Sequence, residues 1–542
     1  MKRIAIIFMM ALTIFSGCSD FLEEENKSYI TAEEFYITSA GYNSLITSNY
    51  TMLGQIFGQD PWLFMAGTDM YMEGRNAEPV GLSQYTELNS QSEGISFLYS
   101  LCYQAIQRAN TAIYYADITE KTDMVDRYVA EVRFLRALSY FMLVQTYGGV
   151  PMVEDYYDGK ELVFEFAGAS AEKIYSYIIS EMEAVLPVLA VSNKDGRVNS
   201  RAVQHYLALV YLTRAYESFA ASDDFEKAAT YADEAIAGQP LDIPFDQLWK
   251  PGNERNAEVL FSAQYSQASI STDPQNLGNQ QQNFFGPYLG GNEVNGKAPY
   301  KSYTLCPTRH AIDLFEEGDE RWDATFMVEV YTPYYAYFRE SDLSEIPVAH
   351  FYEPKWFDAT DSINYRLEHP DAEYHSYGTY DPEGGNVSLD YSTIIVKKFD
   401  DPNSIYAGDG GRTSARDFIM ARLGETYLIA AEAYLGAGDA GTGLLRLNEV
   451  RRRSGMPEAL ISDFNINYIL DERGRELLGE YKRWFDLKRT GKLVERASAY
   501  NPLIEQSNFS GNGGELKTLR PIPQDALDLN RNDSFQQNPA YK

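Results

Sequence analysis

The first half of the chain places apolar residues at helical spacing over long stretches. Apolar positions that recur three and four residues apart are typical of amphipathic helices. This pattern predicts helices over residues 96–118, 123–147, 170–189, 199–221 and 224–238. The second is apolar almost all round from Phe134 to Val144, so we expect it to be buried, and the glycines and proline at 148–151 end it.

Two pairs of predicted helices have the character of a helical repeat. Ala228, Ala235 and Pro240 are offset by seven and twelve residues, as are positions that close a tetratricopeptide unit. A second unit of about 34 residues combines helices over 425–435 and 442–453 across a short turn. The sequence therefore predicts a mostly α protein built from tetratricopeptide-like helical repeats.

The composition changes between these repeat segments. Residues 265–305 are rich in Gln, Asn, Gly and Ser, and residues 331–391 contain ten tyrosines in 61 positions. Strand-like runs occur at 325–331 and 393–399, without a long periodic helix. Long irregular segments are usually functional or disordered, and this aromatic content disfavours disorder. We expect a large, irregular, loop-rich insert that carries short strands.

Residues 470–485 have the pattern of one helix with an apolar and a charged face. Leu470, Leu477, Tyr481 and Trp484 follow one another at spacings of seven, four and three. The other face carries three pairs of opposite charge at i,i+3, namely Glu472–Arg475, Arg473–Glu476 and Glu480–Arg483. We expect a packed helix whose ion pairs are solvated and weakly stabilising.

The N-terminus has the pattern of a secretory signal. Lys2-Arg3 precede a short apolar run that ends at Ser16-Gly17-Cys18 and is too short to span a bilayer. This ending resembles the lipobox of bacterial lipoproteins, which implies cleavage after residue 17 and acylation of Cys18. Several acyl chains on one residue anchor a protein stably. The acidic residues after Cys18 resemble the signal that sends such lipoproteins to the cell surface.

Charge and cysteine content exclude several classes of ligand and scaffold. The chain has 46 Lys and Arg against 78 Asp and Glu, a net charge of −32, which argues against nucleic acid as a ligand. Beyond Cys18 only Cys102 and Cys306 remain, too few for a disulfide framework. The five histidines offer no zinc spacing, and His369 with His375 is interpreted as a coincidence of one loop.

Nothing in the sequence points to catalysis. It contains no G-x-S-x-G, H-E-x-x-H, P-loop or dinucleotide fingerprint. A glycosidase needs two carboxylates at a set separation, but 78 acidic residues guarantee such pairs by chance. We therefore predict a protein that is not an enzyme and uses no cofactor. The sequence marks no metal-ligating residues and leaves open whether a structural calcium ion is bound.

Two aromatic regions are candidates for a ligand site. Tyrosine and tryptophan offer a flat apolar face and a polar edge, which suits a sugar ring, and neighbouring Asp, Asn or Arg supply directional hydrogen bonds. The first region is the loop from 60 to 89, with candidate residues Trp62, Asp69, Tyr71, Arg75, Tyr85 and Asn89. The second is the insert, with candidate residues Phe284, Tyr288, Tyr300 and Trp322.

Six segments near both ends of the chain form one recognisable pattern, namely residues 133–137, 147–151, 469–477, 483–489, 519–523 and 537–541. In this order they resemble the SusD/RagB family of outer-membrane nutrient-binding lipoproteins. The resemblance implies a helical protein that holds a glycan or peptide over a transporter without cleaving it. It also implies sugar contacts from a loop before the first repeat helix and from the long insert. Ala66-Gly67-Thr68-Asp69 resembles the start of that loop.

With this resemblance, the chain divides into five parts of one intertwined SusD-like domain. They are a lipoprotein signal peptide (1–17), a lipidated tether (18–42), an N-terminal helical repeat part (43–260), an aromatic-rich ligand-binding insert (261–400) and a C-terminal repeat and capping part (401–542).

The leading interpretation is a cell-surface glycan-binding lipoprotein of the outer membrane. The family implies that it passes its ligand to a SusC-like TonB-dependent transporter and touches the membrane only through its lipid. Three alternatives stay open: a RagB-like protein that binds peptide, a tetratricopeptide-type scaffold that binds a protein, and a surface glycoside hydrolase.

Overall fold

The computed structural model describes residues 31–74, 79–158, 162–192, 195–270, 277–380, 389–404 and 412–542. The predicted signal, Cys18 and Arg75 lie outside these residues. The helices before the insert are α1 Ala32–Tyr36, α2 Ser39–Gly58, α3 Trp62–Met65, α4 Val80–Gln84, α5 Ile95–Ala116, α6 Val125–Tyr147, α7 Ala171–Val185, α8 Ser200–Arg214, α9 Asp224–Ile236 and α10 Phe245–Leu248.

The remaining helices lie in the insert and after it. Those of the insert are α11 Gln267–Ile270, α12 Arg309–Asp313, α13 Glu320–Thr325, α14 Ala336–Arg339 and α15 Ala359–Glu368. Those of the C-terminal part are α16 Leu423–Gly436, α17 Ala440–Arg453, α18 Ile466–Glu476, α19 Arg483–Arg489, α20 Leu493–Tyr500 and α21 Gln524–Leu529. No described helix is both long enough and apolar enough to cross a membrane.

The five helices predicted in the first half are confirmed as α5 to α9. Each of α5 to α8 packs against the next helix in the chain, and α2 packs against α5. The side chain of Asn199 accepts a hydrogen bond from the amide of Ala202, so it caps α8. Every residue of α6 from Phe134 to Tyr147 is buried, which explains the apolar run on nearly all sides of this helix.

The helical repeats continue across the insert. Helix α16 packs against α9 and against α17, although the whole insert separates α9 from α16 in the chain. The mostly α, tetratricopeptide-like prediction is therefore confirmed, and the insert leaves the helical scaffold and returns to it.

Short strands occur in the insert, as predicted, and also before and after it. The strands are β1 Tyr71–Met72, β2 Val259–Ala263, β3 Cys306–Pro307, β4 Phe326–Met327, β5 Glu329–Tyr331, β6 Val348–Tyr352, β7 Glu373–His375, β8 Ile395–Val396 and β9 Phe418–Arg422. Antiparallel pairs join β1 to β3, β2 to β9 and β4 to β8. In the three-stranded sheet, β5 runs antiparallel to β6, and β6 runs parallel to β7.

The single helix predicted over 470–485 is wrong. Helix α18 ends at Glu476 and α19 begins at Arg483. Between them Gly479 and Tyr481 have φ of 78° and 60°. A Cβ on Gly479 would lie 2.3 Å from the ring of Phe399, so this turn requires glycine.

The solvated charged face predicted for this segment is also wrong, because its charges are buried. The side chain of Arg321 donates to Glu472 at 2.7 Å, and that of Arg422 donates to Glu476 at 2.6 Å and to Glu480 at 2.7 Å. All five side chains are at most 3% exposed. Buried charges persist only when they are paired and hydrogen-bonded, and here the partners come from the insert and from β9.

The predicted i,i+3 pairs are partly realised. Glu472 and Arg475 form their pair at 2.6 Å. Arg473 donates instead to Asp486 at 2.7 Å, and Glu480 accepts from Arg422. Long-range partners have replaced two of the three local ones.

Candidate functional site

Asp69 is part of the folded core and does not face a ligand, which corrects its predicted role. Its carboxylate is 0% exposed and accepts hydrogen bonds from Arg483 at 2.6 and 2.7 Å and from Arg496 at 2.8 Å. Burial alone would raise the pKa of Asp69, but these two guanidinium groups hold it well below its ordinary value.

Tyr71 and Tyr85 are also buried, and their prediction as ligand contacts is corrected. Tyr71 is 1% exposed, and its ring packs against Phe285 at a centroid distance of 5.3 Å. Tyr85 is fully enclosed, and its hydroxyl donates to the carbonyl of Gly67 at 2.8 Å. A ring with no exposed face cannot stack on a ligand, so both residues pack the core.

Phe284 and Trp322 are aromatic core residues of the insert. They are 4% and 3% exposed. The Trp322 ring lies 4.8 Å from that of Phe326 and 5.2 Å from that of Trp356. These rings hold the insert together, and their prediction as binding faces is corrected on the same ground.

Trp62 and Asn89, from the first candidate region, reach the surface. Trp62 is partly buried, and its ring meets Phe284 edge to face at 5.5 Å. Nearby, burial and then the charge of Glu93 raise the pKa of Asp60 to about 6. Asn89 is exposed, but its side chain accepts from the amide of Gln91 within a local turn.

Four partly exposed tyrosines of the insert lie together, and we call them the tyrosine cluster: Tyr288, Tyr300, Tyr303 and Tyr391. Tyr288 and Tyr303 meet edge to face at 5.6 Å, and the amide of Tyr391 donates to the carbonyl of Tyr288 at 2.9 Å. The guanidinium of Arg412 lies 4.3 Å above the ring of Tyr300. Burial, followed by the neighbouring Tyr303, raises the pKa of Tyr300.

The backbone of the tyrosine cluster is strained at two positions. Tyr303 and Tyr391 have φ of 52° and 54°, a region that bulky residues rarely occupy. Such residues cost about 1–3 kcal/mol each and are concentrated at functional sites. The side-chain amide of Asn292 donates to the Tyr391 hydroxyl at 2.7 Å, which in turn donates to the carbonyl of Leu289 at 3.1 Å. These bonds fix the Tyr391 ring in place.

The tyrosine cluster combines what a ligand with flat apolar faces and polar edges requires. Its rings are rigid and partly exposed, and Arg412 and Asn292 supply hydrogen-bond donors beside them. Tyr288 and Tyr300 were candidates from the sequence, whereas Tyr391 and Arg412, which lie beside them, were not. The high tyrosine content of residues 331–391 was the one signal for Tyr391, and nothing local marks Arg412.

Two family models match the chain. The model described as "SusD family" matches residues 257–541, and the model described as "Starch-binding associating with outer membrane" matches residues 20–212. A SusD-like protein P2 of Formosa agariphila is 26% identical over 560 residues, covering 100% of both chains. The starch-binding protein SusD of Bacteroides thetaiotaomicron is 25% identical, covering 76% of this chain and 72% of that one.

Solved structures share the fold. A laminarin binding SusD-like protein superposes with a TM-score of 0.71 at 22% identity, covering 93% of this chain and 100% of the other. Surface glycan-binding protein A from Bacteroides thetaiotaomicron, in complex with laminarihexaose, gives a TM-score of 0.68 at 19% identity with the same coverage. With one family model matching just over half of its residues, the chain belongs to the SusD family.

Proposed function

We propose that the protein is a non-catalytic glycan-binding lipoprotein of the cell surface, which captures oligosaccharide or polysaccharide at the tyrosine cluster. The observation that carries the proposal is this group of partly exposed rings with Arg412 beside it. One sequence relative is named for binding starch, one structural neighbour is named for binding laminarin, and another was solved in complex with laminarihexaose. These names support a sugar over other flat ligands.

The physical basis of capture is stacking on rigid rings. A pyranose ring presents an apolar C–H face, and tyrosine matches it at a low entropy cost because its side chain has few torsions. Tyr288 and Tyr300 are the proposed stacking residues, with Trp62 and Asn89 as further contacts from the loop region. Arg412 offers donors to sugar hydroxyls at the edge of the same surface.

A titration panel tests this function. Purified glycans of several linkages and a set of peptides are titrated calorimetrically into the protein, and the glycans are then analysed for shortened products. We expect at least one glycan to bind and to be recovered intact. Binding of peptides alone would support the RagB-like alternative, and shortened glycans would show hydrolysis; either result overturns the proposal.

We further propose that the protein is anchored in the outer membrane through acylated Cys18, on the exterior side. The support is the signal-like N-terminus and the family model whose description refers to the outer membrane. Cys18→Ala is expected to convert a protein that fractionates with membranes into a soluble or unprocessed one. Unchanged membrane association of that variant would contradict the anchor.

A SusC-like TonB-dependent transporter is the proposed partner, on the basis of family resemblance. A lipid tether keeps the binding protein close to a transporter mouth, so a weak contact suffices at the resulting millimolar effective concentration. Purification from gently solubilised membranes, with crosslinking, is expected to recover a large β-barrel protein. Recovery of the monomer alone under these conditions would count against this partner.

A further inference from the structure

One face of the three-stranded sheet brings together three potential metal ligands. In the parallel pair of β6 and β7, His350 is opposite Glu373 and Tyr352 is opposite His375. Side chains two residues apart on a strand point to the same face. The opposite face holds Phe351, whose ring stacks on Tyr365 of α15 at 3.6 Å. His350, Glu373 and His375 therefore share the face turned away from α15.

The potential ligand atoms of these three residues lie close to one another. Nδ1 of His350 lies 3.1 Å from Nε2 of His375 and 3.4 Å from a carboxylate oxygen of Glu373. One ligand atom from each residue lies within 4.8 Å of the other two. Two nitrogens bound to one tetrahedral Zn²⁺ at about 2.0–2.1 Å would be about 3.3–3.4 Å apart. The observed separations are close to those of a coordinated set.

Hydrogen bonding alone accounts poorly for this arrangement. Nδ1 of His350 carries at most one proton, so it can donate to His375 or to Glu373, but not fully to both. If Nδ1 is instead unprotonated, it can accept from Nε2 of His375, but it then offers no proton to the carboxylate of Glu373. A cation placed between the three atoms would satisfy all three lone pairs at once.

Both imidazoles are held in position by tyrosine rings. His350 stacks on Tyr391 at a centroid distance of 3.8 Å, and His375 stacks on Tyr352 at 4.6 Å. The hydroxyl of Tyr352 donates to the carbonyl of Tyr391 at 2.9 Å, which ties the two supports together. Rigid ligands lose little freedom on coordination, so the pair is preorganised for a metal.

We propose that His350, Glu373 and His375 bind a divalent transition metal of the Zn²⁺ type. Two imidazoles and one carboxylate suit Zn²⁺, leaving a fourth position open to water, whereas Ca²⁺ and Mg²⁺ prefer oxygen ligands alone. The Glu373 side chain is 67% exposed, so the site opens to solvent and can load directly. The site adjoins the tyrosine cluster through Tyr391 but does not depend on the glycan function.

This proposal revises the prediction that the histidines offer no zinc spacing. Zinc motifs are recognised by short spacings along the chain, whereas His350 and His375 meet only through the parallel register of β6 and β7. His369, which the sequence paired with His375, instead stacks on Tyr365 at 4.5 Å. It therefore serves as a matched control, being a partly buried histidine of the same insert outside the ligand group.

Calorimetric titration of metal-free protein with Zn²⁺, Ca²⁺ and Mg²⁺ tests the site, together with bound-metal analysis after dialysis. We expect one Zn²⁺ to bind and neither of the other ions to compete. Loss of a residue that only hydrogen-bonds to a metal ligand lowers metal affinity about 10–100-fold. We therefore expect His350→Ala and His375→Ala, which remove ligands themselves, to lower the Zn²⁺ affinity at least about 100-fold. Glu373→Gln should show a smaller loss, and His369→Ala none.

Circular dichroism and thermal melting establish that each variant is folded before its affinity is interpreted. Co²⁺ offers a second readout, because coordination by the two imidazoles gives visible absorption that His369→Ala retains and His375→Ala loses. Wild-type protein that binds no Zn²⁺ would overturn the proposal. Folded His350→Ala and His375→Ala variants that bind Zn²⁺ like the wild type would overturn it equally.

Discussion

At the scale of single residues, Asp69 shows how a polar side chain in a loop can serve the fold. Its carboxylate accepts from Arg483 of α19 and Arg496 of α20, more than 400 residues away in the chain. Helix α19 coincides with residues 483–489, one of the segments by which the sequence resembles its family. The loop is thus attached to the C-terminal part by two buried ion pairs.

Asp69→Asn is expected to destabilise the protein by about 3–5 kcal/mol, because it leaves two buried arginines without their shared carboxylate. Urea unfolding measures the loss as a lower midpoint at unchanged slope. Asp525→Asn, at an exposed position of α21, is the control and should stay within about 0.5 kcal/mol of the wild type. A wild-type midpoint with reduced glycan affinity would restore Asp69 as a ligand contact.

Trp322→Ala is expected to affect stability rather than binding. The ring fills a buried space between Phe326 and Trp356, and removal of such a ring costs about 3–5 kcal/mol. Thermal unfolding should show a clear drop, while the glycan affinity of the folded fraction stays unchanged. Normal melting combined with weakened binding would mean that this tryptophan does face the ligand.

At the scale of elements, the break between α18 and α19 positions a group of buried ion pairs. We call this group the ionic core: Glu472, Glu476 and Glu480 with Arg321 and Arg422. The turn directs Glu480 inward, where it meets Arg422, while Glu472 and Glu476 face inward from α18. Burial alone would raise the pKa of both α18 glutamates, but the surrounding arginines hold each well below its ordinary value. The stability of these elements therefore depends on ionised carboxylates.

The sign of the resulting pH dependence follows from these lowered pKa values. The stabilisation is fully present above the ordinary glutamate pKa of about 4.3. It is lost as the pH falls towards the lower pKa that these glutamates have in the folded protein. Melting temperatures from pH 7 to pH 3 should fall in the acid range. Glu472→Gln should be less stable at pH 7, and its melting temperature should fall less steeply towards acid pH. A pH dependence of melting temperature parallel to that of the wild type would contradict this account.

Local patterns predicted the repeat helices because helical periodicity depends only on residues three and four positions apart in the sequence. The ionic core was not predictable, since Glu472 pairs with Arg321 of the insert as well as with nearby Arg475. The candidate site shows the same difference between local patterns and long-range contacts. Tyr288 and Tyr300 could be selected by composition, whereas burial of Asp69 depends on contacts that no local pattern shows.

At the scale of the whole molecule, the repeat helices pack on one another across the insert. Contacts between α9 and α16 keep the repeats continuous, so the scaffold does not depend on the exposed rings of the insert. The tyrosine cluster can therefore differ in sequence without loss of the fold. This separation makes binding and stability measurable independently in the same variants.

The most direct test of the account is a glycan titration of Tyr288→Ala and Tyr300→Ala against the wild type. Loss of a central aromatic anchor costs about 2 kcal/mol or more, which corresponds to about thirtyfold in affinity. Tyr114→Ala is the control, because this ring is 48% exposed on α5 of the helical scaffold. We predict about thirtyfold weaker binding for both cluster variants, with unchanged melting and normal binding by the control. Folded cluster variants that bind glycan as tightly as the wild type would contradict the central claim.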